Sequence, residues 1–154
     1  MNTYNVTHRT FIHSLTALKT ILEKGEAFVK EGTVTEEAMV NDKLAHDMFP
    51  FKKQIQLVSD HAKGCVARLT GKANPSMDDT EETFAQLGER IDKTLVFLNS
   101  VTEADFAAAE ERKIEIRWYP GKYITGVDYA LEYAMPNFFF HLTTAYALLR
   151  KNGV

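Results

Sequence analysis

The stretch from Met135 to Val154 reads MPNFFFHLTTAYALLRKNGV and sets His141 directly behind Phe138, Phe139 and Phe140. An imidazole titrates near neutral pH. A ring inside an aromatic wall is therefore either a ligand or acid–base group, or a packed histidine with one good hydrogen bond. Asn137 stands one helical turn before His141 and Thr144 one turn after it. Together with Tyr133 they form a polar strip beside the apolar one, because residues three and four apart share a helix face. A second imidazole, His61, sits at the edge of an earlier apolar stripe, between the turns of Val58 and Cys65, with Asp60 expected to point nearly opposite that stripe. If the two segments are neighbours, the rings of His61 and His141 can approach each other. Two histidines plus a third nitrogen or oxygen ligand make a zinc or nickel constellation in a helical bundle.

The remaining reactive side chains point elsewhere. His8 falls on a core stripe near a helix start, where a buried, hydrogen-bonded ring is the ordinary outcome. His13 lies on the opposite face, and His46, in LAHDMFPF, belongs to a loop or cap. Cys65 is the only cysteine and lies on an apolar stripe, so it is expected to be a buried, inert thiol. Neither a glycine-rich phosphate loop nor CxxC nor HExxH occurs.

Four amphipathic segments must position these groups. Tyr4, His8, Phe11, Leu15, Leu18, Leu22, Gly25 and Val29 alternate in steps of four and three, the stripe of a helix over about 5–30. Thr35 can cap a short turn after it. A second helix begins near Pro50, carries Phe51, Ile55, Val58, Ala62, Cys65 and Leu69 inward, and stops at Gly71. GKANPSMDD is a crossover loop. Asp79 with Glu82 resembles a capping box opening a third helix lined by Phe84, Leu87, Ile91, Leu95 and Leu98. KIEIRWY alternates ahead of Pro120-Gly121, a hairpin signal. The fourth helix runs over about 127–152, with Val127, Leu131, Ala134, Phe138, Leu142, Ala145 and Leu149 inward and Pro136 kinking or interrupting it. The three consecutive phenylalanines cannot share one core, so one must meet a neighbouring element or another chain. Trp118, Tyr119 and Tyr123 on the hairpin can lid a pocket at the bundle's mouth, or form a small satellite core.

The bulk numbers fit this plan. The 154 residues suit one domain spanning 1–154, and 45% hydrophobic with 25% charged is ordinary for a soluble protein. A net charge of −3 without a basic run argues against nucleic-acid and membrane partners. No secretory signal pattern or membrane-spanning stretch is seen, and one cysteine suits a reducing setting, so a cytoplasmic location is expected.

DMFPFKKQIQLVSDHAKGCVARLTG and NFFFHLTTAYALLRKNGV resemble a family described only as a domain of unknown function. That family is similar in turn to the DinB superfamily of four-helix bundles. In that superfamily, which includes bacillithiol- and mycothiol-dependent transferases, three histidines usually bind a divalent metal. One comes from the second helix and two, four residues apart, from the last, ahead of an Arg and a closing Gly. His141, Arg150 and Gly153 fit that frame, so the resemblance implies His141 as the second last-helix ligand and His61 as the second-helix ligand. Asn137 then occupies the remaining ligand position, and its neutral amide oxygen is a weaker donor than imidazole.

The expected fold is thus an all-α, DinB-like four-helix bundle with a long crossover between its second and third helices and a small β-hairpin before the last. Two functions stay open. In one, a small-molecule pocket between the second and last helices is lined by Tyr133, Thr144 and Trp118, and the metal site is degenerate. In the other, His61, His141 and Asn137 hold zinc or nickel for hydrolysis or thiol transfer. A homodimer is expected in either case.

Overall fold

The computed structural model describes residues 2–115 and 120–154. Chain entry is a π-helical turn, Tyr4–Arg9, that runs straight into α1 (Thr10–Lys30). Phe11, Leu15, Leu18, Leu22 and Gly25 are buried, which is the four-and-three stripe written in the sequence. The Thr35 hydroxyl accepts from the Ala38 amide and starts the short α2 (Glu36–Val40). α3 (Phe51–Thr70) begins at Pro50, whose missing N–H costs nothing at a helix start. It ends at Gly71, where φ of 77° requires a residue without Cβ strain.

α4 (Phe84–Asn99) starts later than the capping-box pattern suggested. Thr83 is the cap, its hydroxyl accepting from Gln86, while Asp79 and Glu82 are drawn into ion pairs with Lys53 and Lys52 of α3. The crossover from α3 to α4 is thereby tied down along its length. A 3₁₀ turn (Glu103–Phe106) leads to β1 (Lys113–Glu115), which pairs antiparallel with β2 (Tyr123–Thr125), Ile114 opposite Ile124. The hairpin is where the alternation placed it; Trp118 and Tyr119 lie outside the described residues.

The last helix comes in three joined pieces: α5 (Gly126–Asp128), a π-helical segment Tyr129–Ala134, and α6 (Met135–Lys151). Pro136 cannot donate a backbone bond and its ring crowds the carbonyl four residues back. The expected local interruption takes the form of this π segment, whose i→i+5 bonding adds residues per turn. The inward line therefore shifts upstream of Ala134. Ala130 and Tyr129 are buried, whereas Leu131, which a regular helix would turn inward, is exposed. Gly126 is fixed by a close approach: a Cβ there would lie 1.8 Å from the Ala109 carbonyl oxygen.

α3 is the central helix, packed most extensively on α6 and also on α4, while α1 packs on α4. Its apolar stripe is fully buried, and so are Gln54, Gln56, Ser59 and Lys63 from its other faces. Asp60, on the side nearly opposite that stripe, is partly exposed and meets Arg90 of α4 at 2.9 Å, because α3 has a neighbour on that side too. No helix among the described residues is long and apolar enough to cross a membrane.

Candidate functional site

The packing of α6 on α3 brings the two predicted imidazoles together. The His61 and His141 rings lie 5.5 Å apart between centroids, with planes 12° from parallel. Tyr133 meets His61 edge-on at 5.8 Å and Phe140 meets His141 at 5.1 Å. His141 is 8% exposed.

The tautomer of His141 follows from its neighbour. The Gln54 amide nitrogen donates to the Phe49 carbonyl at 3.0 Å, which fixes the amide's orientation. Its oxygen then faces His141 Nδ1 at 2.7 Å. An amide oxygen only accepts, so Nδ1 carries the proton and Nε2 holds the lone pair. Sequence reasoning missed Gln54, although a signal existed. Gln54, His61 and Arg68 recur every seven residues and make a polar line along a helix that is otherwise apolar on that side.

Both rings are held neutral. Burial, then the nearby His141, pushes the His61 pKa down to about 4. Burial lowers His141 as well. Desolvation disfavours the imidazolium, and a charge on either ring opposes charging of the other.

The polar strip of the last helix behaves differently from its two histidines. The Asn137 amide donates to the Tyr133 carbonyl at 2.7 Å, and the Thr144 hydroxyl to the Phe140 carbonyl at 2.7 Å. Each is committed to its own helix, one turn back, and no hydrogen bond joins either to an imidazole. His8 donates from Nε2 to the Leu98 carbonyl at 2.7 Å and stacks on Tyr4, a packed core ring. Cys65 is buried, and burial raises its pKa, so its thiol is inert. His13 and His46 are exposed.

A cavity of about 790 Å³ opens beside His61. Its walls are α3, the crossover around Asn74 to Met77, the hairpin through Glu115 and Ile124, and Tyr129 and Tyr133 of the π segment. Tyr133 lines it, whereas Thr144 and His141 do not. The π segment matters here: it turns both tyrosines toward α3, stacked on each other at 5.5 Å.

A family model described as Domain of unknown function (DUF1993) matches residues 3–154. The chain belongs to the DUF1993 family. The DUF1993 chain is also similar to a solved structure of a DinB family member protein from Shewanella denitrificans. The two are 43% identical over 98% of this chain and 86% of that one, with a TM-score of 0.93. No curated protein matches. The DUF1993 chain therefore has the DinB-like bundle with its hairpin before the last helix, as the sequence suggested.

A three-histidine metal centre does not fit the donors this DUF1993 chain presents. Among the described residues no group of three His, Cys, Asp or Glu side chains is placed to share an ion. The position implied for a third imidazole holds Asn137, whose amide nitrogen is spent on backbone. Two imidazoles and a neutral amide are a weak set for a borderline metal.

Proposed function

We propose that this DUF1993 chain binds a small molecule in the cavity beside His61, with the His61–His141 pair serving as neutral hydrogen-bonding groups and the metal centre of the fold degenerate. The observation that carries this reading is a pair of adjacent imidazoles, one in the wall of a roomy cavity and the other fixed in tautomer by Gln54. A base whose pKa lies near 4 is a poor proton acceptor at neutral pH, since general-base catalysis favours a pKa near the working pH. That weighs toward binding over acid–base catalysis. The second reading, a divalent-metal-dependent hydrolase or thiol transferase using His61 and His141, has one observation in its favour. Metal-binding histidines commonly donate their other ring N–H to a neighbour, as His141 does to Gln54. Elemental analysis of untagged protein separates the two. We expect far less than one zinc or nickel per chain, and no rise in melting temperature when either is added. One metal per chain, lost in His141→Ala, would establish the second reading instead.

A homodimer and a cytoplasmic location complete the proposal. Phe138 is fully buried, but Phe139 is 39%, Phe140 54% and Tyr146 49% exposed, leaving large rings of α6 open to solvent. A second copy of the chain packing α6 on α6 would cover them, and the single buried thiol is suited to a reducing compartment. Sedimentation is expected to give a dimer at micromolar concentration and a monomer for Phe140→Glu. A wild type that sediments as a monomer throughout that range is incompatible with the pairing.

A further inference from the structure

The wall of the cavity contains one arginine, Arg68, that makes no ion pair among the described residues. Of the carboxylates in or beside the wall, Asp60, Asp79 and Glu81 are matched by Arg90, Lys63 and Lys53, Glu115 accepts from the Gly121 amide, and Glu132 is exposed to solvent. Arg68 is exposed, and its Nη1 donates to the Tyr129 hydroxyl at 3.4 Å.

Its position is built by a glycine. Gly64 lies in the buried interior of α3, where glycine costs about 1 kcal/mol relative to alanine and so calls for a reason. A Cβ at Gly64 would lie 2.7 Å from Arg68 Nη1 and 3.8 Å from the Asn74 amide nitrogen. The missing methyl is thus the space in which the guanidinium lies. Side chains on a helix lean toward its N-terminus, which brings the Arg68 head back over Gly64, one turn from His61. Tyr129 closes the other side, its ring centroid 5.8 Å from the guanidinium carbon.

We propose that Arg68 and Asn74 anchor a carboxylate of the small molecule that occupies this cavity, and thereby lay the atoms next to that carboxylate against His61. This rests on the reading of the cavity as a ligand site. A planar guanidinium with a neighbouring amide matches the two oxygens of a carboxylate, and a guanidinium with no ion pair of its own, beside aromatic rings, selects an anion over its neutral isostere. The ligand class is a small carboxylic acid with an apolar or aromatic body for Tyr129, Tyr133 and Met77.

Benzoate and its uncharged counterpart benzamide serve as probes, followed by NMR of the His61 and Tyr129 side chains in the whole chain. Benzoate is expected to bind about tenfold more tightly than benzamide, the scale of one charge-assisted contact. Arg68→Gln should abolish the preference. Gly64→Ala provides a second variant that keeps the arginine. Its methyl meets only the far end of a flexible side chain and alanine favours the helix, so the protein stays folded while the guanidinium is displaced, and the preference should again fall. Equal affinity of the two probes at His61 would overturn the carboxylate anchor and leave the pocket reading standing. Failure of both to move His61 would overturn both, and a preference that survives Arg68→Gln and Gly64→Ala would refute the role of these residues.

Discussion

Arg90→Met is expected to cost about 3–5 kcal/mol of folding stability, because it leaves partners of a buried charge behind. Arg90 is 1% exposed in the middle of α4. Its Nη2 meets Asp60 at 2.9 Å, and its Nη1 meets Asp79 at 3.1 Å, Glu81 at 3.0 Å and the Asp78 carbonyl at 3.1 Å. Desolvation opposes the charge, but Glu81, Asp60 and Asp79 outweigh it, and the guanidinium is held more firmly protonated than in water. Methionine fills similar volume without charge or donors. Three carboxylates would then share Lys53 and Lys63 alone, and the crossover would lose the contact that pins it to α4. Arg90→Lys should fall between the two, since it keeps the charge and loses the fork. Urea unfolding measures the loss, and the same variants should bind benzoate more weakly, because Asn74 to Met77 of that crossover form a cavity wall. A loss below about 1 kcal/mol for Arg90→Met would place the cluster in the class of solvent-screened surface pairs instead.

The fold was legible because its signals are local and repeated. Each long helix buries a stripe whose spacing is written in the chain, and the hairpin follows from alternation around Pro120-Gly121. The pairing of His61 with His141 was legible too, as two rings near the middle of helices that turned out to be neighbours. What the sequence hid depends on how helices surround one another. Arg90 reads as an exposed charge until α3 and α4 close over it. Asp60, nearly opposite the apolar stripe of its own helix, gains its partner Arg90 only from the neighbouring one. The π segment before Pro136 moves the inward line from Leu131 to Ala130, which regular periodicity cannot express. Arg68 and Gly64 were visible as letters, but their relation is a close approach of one side chain to a missing one, and only coordinates give it.

Lowering the pH from 7 to 5 is expected to remove about 2 kcal/mol of stability through His61 alone. In the unfolded chain this imidazole titrates at about 6.5; in the fold its pKa is about 4. Between those values the unfolded state binds a proton that the folded state refuses, so stability falls as pH falls. The loss is largely complete once pH reaches the folded value. Above 6.5 both states are neutral and the term is flat. His141, also lowered by burial, adds in the same direction. Asp60 works against the shift and Arg68 with it, both more weakly than burial and the His141 ring. Carboxylates elsewhere also respond over this range, so the informative quantity is the difference from His61→Gln, which keeps a polar side chain and removes the titration. Urea unfolding of both proteins from pH 7.5 to 4.5 should show the wild type falling more steeply, by nearly one proton per molecule around pH 5.5. Parallel curves would mean that the folded His61 takes up protons as freely as the unfolded one. The ring could not then be desolvated against His141, and with a pKa near the working pH it would be a competent proton acceptor, which removes the ground for preferring binding over acid–base catalysis.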